Sequence, residues 1–386
     1  GTNNSFFNLS FIITTPPLIG LIYYGIISKF DIPIGQEKFI GPIYNEISIK
    51  YCISIISFVL ILSLIKYFNP SLLRVRNQNL PQIKTSFLTY TIFLFLESIS
   101  KLMDISIHLK ILFSEITNIS LILLLSCVFL KLKANQSIYK FLSISSIFII
   151  IYFAFTSDKG FFIVITSSIF LIFIGSKNTG LRINSLKTNI IILLGAFFMP
   201  FLNFVEQVII NKTLAYDQTF KSLTEAMESS ILTNYYHVFV NPKCEYDQSI
   251  SIFKTITSPL RALLGMNLQF HQHDFMETCF PLQRASGAGR GFGLITESAM
   301  SNELPTFLYF SFAAIAFILI FEFIYYRFSL FGLIVYSQSI HIIYKLTRSD
   351  ISSSIFSLIY TLIASYLVYK TILIINNHFD SFKKSY

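Results

Sequence analysis

The sequence predicts an all-α polytopic integral membrane protein of about ten membrane-spanning helices, with one large, partly helical outer loop between spans seven and eight. Two observations are compositional: 53% of the residues are hydrophobic and only 13% are charged, whereas about a quarter of a soluble domain is charged. The third is that the 42 Phe and the many Ile residues fall in charge-poor runs. These runs are long enough to cross about 30 Å of hydrocarbon as helices.

Ten apolar runs are the predicted spans. They cover residues 8–28, 49–68, 86–106, 111–130, 138–156, 160–176, 188–205, 305–326, 328–344 and 351–375. The chain thus divides into spans one to seven (1–205), a large polar loop (206–304), and spans eight to ten with a short tail (305–386). We expect no cleavable leader, because the first run contains Pro16 and Pro17 and lacks a basic leader before it.

Basic residues predict on which side of the membrane each connection between spans lies. Those after the even-numbered spans are Lys66, Arg74, Arg76, Lys84, Lys131, Lys133, Lys140, Lys177, Arg182, Lys187, Arg327, Lys383 and Lys384. Cytoplasmic connections are enriched in Lys and Arg, so both termini are predicted inside and the 206–304 loop outside. The connections after the odd-numbered spans also carry basic residues, among them Lys345 and Arg348. Since the net charge of +9 is dispersed between the spans, it indicates membrane topology and no nucleic-acid partner.

Four ionisable residues interrupt the third predicted span: Glu97, Lys101, Asp104 and His108. Their spacing of four, three and four places them on one face of a continuous helix. Such groups at membrane depth usually face a bundle interior or a wet cavity. The alternatives are a cavity lining or proton path, and a Glu97–Lys101 pair near a helix end; the spacing favours the pair.

The loop has its own helix signals. Ser222 to Glu225 has the form of a capping box, which predicts an amphipathic helix to about Val238. Thr257 and Ser258 before Pro259 predict a short helix that begins at the proline and ends at Gly265. Arg261 then lies in its first turn.

Two of the four cysteines, Cys244 and Cys279, lie in the loop. They either form a disulfide in an oxidising compartment or remain thiols.

Arginines and glycines in the loop indicate a binding site for an anion. Arg261, Arg284 and Arg290 are the only arginines between Arg182 and Arg327. Guanidinium groups bind phosphate oxygens in pairs and stay charged in any environment, which suits a diphosphate at a membrane surface. Glycines that let backbone amides approach an anion lie beside the last two: Gly287, Gly289, Gly291 and Gly293. A flexible loop without a ligand is the alternative.

Candidate acid–base groups lie between and after these arginines. His271 or His273 is a candidate general base on a hydroxyl, with Asp274 as an orienting carboxylate and Glu277 nearby. Glu297 is the second candidate base, or a sugar ligand. A metal site is the rival interpretation of the histidines, but no second cluster lies at a zinc-site spacing, so we predict none. Asp274 and Glu277 are also candidate sugar ligands, and His237 and Tyr235 either contact sugars or pack the loop.

The stretch Gly291-Phe-Gly-Leu-Ile-Thr-Glu297-Ser-Ala-Met-Ser-Asn302, followed by an apolar span after a long outer loop, resembles the C-terminal part of Wzy-type O-antigen polymerases, the oligosaccharide repeat unit polymerases. In that family a glycine pair precedes an Ala-Glu-aromatic-x-Asn segment. Here Thr296 stands where Ala is commoner and Met300 where an aromatic is usual. The specific likeness covers Arg284 to Phe312.

The resemblance implies glycosyl transfer at the periplasmic face of the bacterial inner membrane. The donor would be the glycan growing on undecaprenyl diphosphate, and the acceptor a new lipid-linked repeat unit in the membrane lipid. No soluble cofactor is implied. Whether a chain-length regulator protein binds stays open. The alternatives are a polysaccharide or lipid-linked oligosaccharide transporter (flippase), and a mannosyltransferase-like enzyme, for which only Asp31 and Glu37 stand in the first outer loop.

Overall fold

The computed structural model describes residues 9, 13–14, 41–68, 80–103, 105–130, 168–169, 172, 252–263, 271–279, 281, 292–301 and 303–384. Within this part the regular structure is entirely helical. The helices are α1 (Gly41–Phe68), α2 (Ile83–Leu102), α3 (Ile107–Leu130), α4 (Ile252–Leu263), α5 (His271–Cys279), α6 (Gly293–Met300), α7 (Thr306–Arg327), α8 (Leu330–Ser337), α9 (Ser339–Leu346) and α10 (Ile351–Lys384).

Four helices are long and apolar enough to cross a membrane. They contain the stretches Ser48–Ile65 in α1, Ile107–Val128 in α3, Thr306–Arg327 in α7 and Ile351–Phe379 in α10. This confirms the predicted class of an α-helical membrane protein. The predicted spans at 8–28, 138–156, 160–176 and 188–205 lie largely outside the described residues, so the total of ten stays a prediction.

Helix α7 lies at the centre of the larger apolar cluster. Its Phe310 contacts Phe58 of α1 edge to face, with ring centroids 5.9 Å apart, and its Tyr325 stacks on Tyr336 of α8 at 4.5 Å. At Gly332 of α8, a Cβ atom would lie 2.6 Å from the carbonyl oxygen of Ile324 in α7. The backbones of α7 and α8 therefore touch, and only glycine fits between them.

The third predicted span ends at Leu102 and does not continue to residue 106, which corrects the one-face interpretation of its ionisable residues. Helix α2 ends at Leu102, and Met103 is extended at φ −92° and ψ 149°. His108 therefore belongs to α3, where its Nδ1 atom lies 2.9 Å from the Tyr360 hydroxyl of α10. The Glu97–Lys101 pair is confirmed at 2.8 Å; Asp104 lies outside the described residues.

The ninth predicted span, 328–344, consists of two helices, α8 and α9, that meet at Gln338. The Gln338 backbone N–H donates to the Val335 carbonyl at 3.1 Å, three residues back. The Ser337 hydroxyl donates to the carbonyl of Ile334 at 2.6 Å. A serine hydroxyl that bonds to the preceding turn competes with the helix ladder, which explains a break that the apolar pattern does not reveal.

Candidate functional site

The connection between α9 and α10, residues 347–350, is the point where the described loop helices meet the membrane helices. Four hydrogen bonds join it and the first turn of α10 to the loop. They run from Phe292 N to Arg348 O (3.0 Å), Gln272 N to Asp350 Oδ2 (3.2 Å), Ile351 N to Glu297 Oε2 (2.7 Å) and Ser352 Oγ to Thr255 O (2.9 Å). Helices α4, α5 and α6 are thereby attached to one short segment.

Asp350 is fully buried at the N-terminus of α10. Its Oδ1 atom accepts the backbone N–H of Ser353 at 2.8 Å, the usual N-cap bond. Its Oδ2 atom accepts the N–H of Gln272, the second residue of α5, an amide that has no partner within its own helix. One carboxylate thus serves the positive ends of two helices, and such ends favour a negative charge.

Glu297 of α6 is also fully buried. Its Oε2 atom accepts the Ile351 N–H, and its Oε1 atom accepts the Tyr309 hydroxyl of α7 at 3.4 Å. Burial raises the pKa of the Glu297 carboxyl well above its usual range, and the charge of Asp350 raises it further. The two accepted hydrogen bonds act in the opposite direction without cancelling these effects.

Gly293 begins α6 with φ at 71°, in the left-handed region. Residues with a side chain rarely adopt this conformation, so Gly293 has a structural role at the start of the helix that carries Glu297. The other glycines of the predicted anion cradle, Gly287, Gly289 and Gly291, lie outside the described residues.

The predicted start of α4 is wrong. The helix begins at Ile252, and Pro259 lies inside it, so that Arg261 is in the last turn and exposed. Pro259 has no N–H to donate to the Thr255 carbonyl four residues earlier. The Ser352 hydroxyl donates to that carbonyl instead. A tertiary contact therefore carries the helix past its proline.

Helix α5 begins at His271 and carries the other predicted acid–base groups. Its Phe275 and Met276 are buried, and the Phe275 ring lies 5.2 Å from that of Phe292, just before α6. His273 and Asp274 are half-buried, whereas Glu277 is exposed.

The last residue of α5, Cys279, is disulfide-bonded, while Cys52 and Cys127 are not part of a disulfide. Cys244, which the sequence offers as its partner, lies outside the described residues.

The structure brings together only part of the predicted site. Glu297 and the helix with His271, His273 and Asp274 are attached to the same connection. Arg261 lies on the neighbouring α4. The remaining predicted residues lie outside the described part of the chain: Arg284, Arg290, His237 and Tyr235.

Sequence reasoning missed Asp350 and gave Arg348 only a topological role. An N-cap signal was present, because Asp350 stands three residues before Ser353 at the start of an apolar run. The Arg348 Nη1 atom donates to the Tyr344 hydroxyl at 2.6 Å, and the guanidinium carbon lies 5.0 Å from that ring centroid. The Arg348 carbonyl accepts the backbone N–H of Phe292. These two residues are far apart in sequence, so no local sequence pattern indicates the bond.

Polar contacts continue from this connection into the apolar helices. Lys345 Nζ donates to the Ser357 hydroxyl of α10 at 2.6 Å, and the Thr361 hydroxyl donates to Glu115 Oε1 of α3 at 2.9 Å. The charge of Lys345 interacts with those of Asp350 and Glu115.

Among the described residues, no group of three or more His, Cys, Asp or Glu side chains has the arrangement of a metal site.

Comparisons with family models, with curated proteins and with solved structures find no match to this chain.

Proposed function

We propose that this protein is a membrane glycosyltransferase that polymerises undecaprenyl-diphosphate-linked oligosaccharide repeat units into O-antigen or a similar surface polysaccharide. The growing glycan is the donor and a new lipid-linked repeat unit is the acceptor. One observation carries the proposal: helices α4, α5 and α6, which hold Arg261, the α5 histidines and Glu297, are bonded to the N-terminus of α10, where that helix enters its apolar stretch. Reactive sugars tethered to lipid diphosphates are confined to this level of a membrane.

The reaction needs a base and a site for a negatively charged leaving group. The acceptor hydroxyl attacks the anomeric carbon of the donor, the bond from that carbon to the diphosphate oxygen breaks, and the hydroxyl proton passes to the base. His271 or His273 is the first candidate base and Glu297 the second. Arg261, Arg284 and Arg290 stabilise the charge that develops on the diphosphate. The two lipid tails, held in the same membrane, bring the reactants together.

The disulfide at Cys279 supports an outward-facing site. Disulfides persist in oxidising compartments such as the bacterial periplasm and are rare in the cytosol. The bias of Lys and Arg toward the opposite connections favours the same orientation. We therefore place the reaction at the periplasmic face of the inner membrane.

Deletion of the encoding gene tests the proposal through the length of the surface glycan. Loss of a polymerase leaves lipid core that carries one repeat unit, and a plasmid copy restores the ladder of long chains. Intact long chains in the deletion strain would contradict the proposal. As a direct assay, purified protein in vesicles should convert synthetic lipid-diphosphate repeat units into dimers and longer products without nucleotide sugar.

A transporter of lipid-linked oligosaccharide is the second candidate. It is favoured by the polar contacts of Glu115, Lys345 and Thr361 within the apolar helices, because ionisable groups at membrane depth often line a transport path. The same deletion separates the two functions. Loss of a transporter leaves lipid core without any repeat unit, whereas loss of a polymerase leaves one unit.

A further inference from the structure

Two fully buried carboxyl groups, Glu297 and Asp350, lie close together where α5, α6 and α10 meet, because Glu297 accepts the N–H of Ile351, the residue that follows Asp350. Two adjacent carboxylates out of water repel each other strongly, so one of them generally keeps its proton. The hydrogen bonds around each group decide which one that is.

Asp350 has the surroundings of a charged carboxylate. It accepts backbone N–H bonds at the N-termini of two helices, from Ser353 of α10 and Gln272 of α5. The ammonium group of Lys345, one turn earlier in the chain, adds an attractive charge. Each of these contacts favours the ionised form.

Glu297 has the surroundings of a neutral acid. It accepts one backbone N–H from Ile351 and one hydroxyl from Tyr309, and within the part of the chain that the structure describes no cation acts on its charge. The charged group that faces it is Asp350; Tyr309 faces it from α7. Helix α5 adds the half-buried His273 and Asp274, which follow Gln272 in sequence, and Asp350 accepts the Gln272 N–H.

We infer that Glu297 and Asp350 form a pair that holds one proton, carried by Glu297, and that ionised Asp350 is a positioning residue that fixes the N-terminus of α5 against α6 and α10. Asp350 thereby sets the place of His271 and His273, the first two residues of α5 that could take a proton. This inference rests on the proposed function and narrows its choice of general base. Glu297 does not act as the base, and the base is a histidine of α5.

Infrared spectroscopy of the full-length protein in lipid vesicles tests the pair without any need for enzymatic activity. A protonated carboxyl has its own C=O stretching band, and subtracting the spectrum of Glu297→Gln leaves the band of Glu297 alone. We expect this band at pH 7. Its absence at pH 7 would overturn the inference.

The role of Asp350 is tested by titrating that band. In Asp350→Asn, the pH at which half of the Glu297 band is lost (the midpoint) should fall by about one unit or more, a tenfold change in proton concentration. The reason is that the neighbouring negative charge is gone. Asp350→Ser, which keeps an N-cap oxygen, guards against a folding defect and should give the same direction. An unchanged midpoint in both variants would show that burial alone protonates Glu297 and would refute the pair.

Glu303→Gln is the matched control. Glu303 accepts the Ile252 N–H at the start of α4 at 3.1 Å, but it is exposed, so its loss should leave the midpoint where it is. A shift equal to that of Asp350→Asn would mean that any nearby charge has this effect, against the pair.

Transfer activity separates this inference from the proposed function. If the wild-type protein lacks the band of a protonated Glu297 at pH 7 and Glu297→Gln also loses transfer, Glu297 is the base and the assignment is refuted. A wild-type protein without transfer would refute the proposed function, and the infrared band would still decide the proton's position.

Discussion

The proline within α4 gives the sharpest stability prediction. Pro259 deprives the Thr255 carbonyl of its usual donor, and the buried Ser352 hydroxyl supplies one at 2.9 Å. Replacing Ser352 with Ala removes that donor from a carbonyl away from water. A buried polar group left without a partner costs about 1–3 kcal/mol, so we expect Ser352→Ala to destabilise the protein by about 2 kcal/mol.

A second substitution isolates the cause. In Pro259→Ala, residue 259 has an N–H that can donate to Thr255, so the later loss of the Ser352 hydroxyl should cost less. The two changes together should be non-additive by about 1 kcal/mol. If Ser352→Ala costs the same in both backgrounds, the hydroxyl does not replace the helix donor, and our explanation of α4 is incorrect.

The assay follows from the composition. The chain has no Trp, but Cys127 carries a buried thiol that is not part of a disulfide, so a dye that fluoresces on reaction with thiols reports unfolding as the temperature rises. About 2 kcal/mol corresponds to a lowering of the midpoint by roughly 4–8 °C in a domain of 150–250 residues, and by less in a longer chain. Ser381→Ala is a matched control, because that hydroxyl is exposed and bonds within its own helix, to the His378 carbonyl at 2.7 Å.

Three further substitutions test other features. Gly293→Ala should lower stability by about 1–2 kcal/mol in the same thermal assay, with Gly293→Asn closer to wild type, because Asn tolerates φ of 71° better; equal losses would contradict a backbone cause. Gly332→Ala should destabilise by about 1–3 kcal/mol, since its Cβ would meet the Ile324 carbonyl at 2.6 Å, and a neutral result would show that α7 and α8 separate easily. Glu97→Gln should change stability by about 0.5 kcal/mol or less and leave glycan chain length unchanged, as expected for a pair with an exposed Lys; shortened chains would revive the proton-path interpretation.

Apolar periodicity predicted the long helices well, because length and lack of charge are local properties. The runs at 49–68, 111–130, 305–326 and 351–375 correspond to α1, α3, α7 and α10. Helix α1 begins at Gly41, well before its run, and α10 continues to Lys384, well beyond its run. The same reasoning could not find the break at Gln338, since residues 328–344 are mostly apolar on both sides of the Ser-Gln-Ser sequence. At Gln338, hydrogen bonds to neighbouring carbonyls determine where the helix breaks.

The candidate site was predicted as residue types but not as an arrangement. Glu297 and the histidines of α5 stood out because polar residues are rare in this chain. Asp350 did not, because a single Asp beside a span is ordinary in sequence, and its importance depends on Gln272, which lies 78 residues earlier. The start of α4 was mispredicted for the same reason: the donor that tolerates Pro259 comes from Ser352.

The attachment of the loop to residues 348–352 has a consequence for how the protein is made. Synthesis runs from the N-terminus, so α4, α5 and α6 leave the ribosome before the segment that holds them. Their polar ends have no partner of this kind until α7 to α9 have been inserted and α10 has begun. Helices α9 and α10 and their connection thus complete the attachment of three helices that were synthesised before them. A ribosome halted before Asp350 would leave a membrane-inserted chain whose candidate site is not yet assembled.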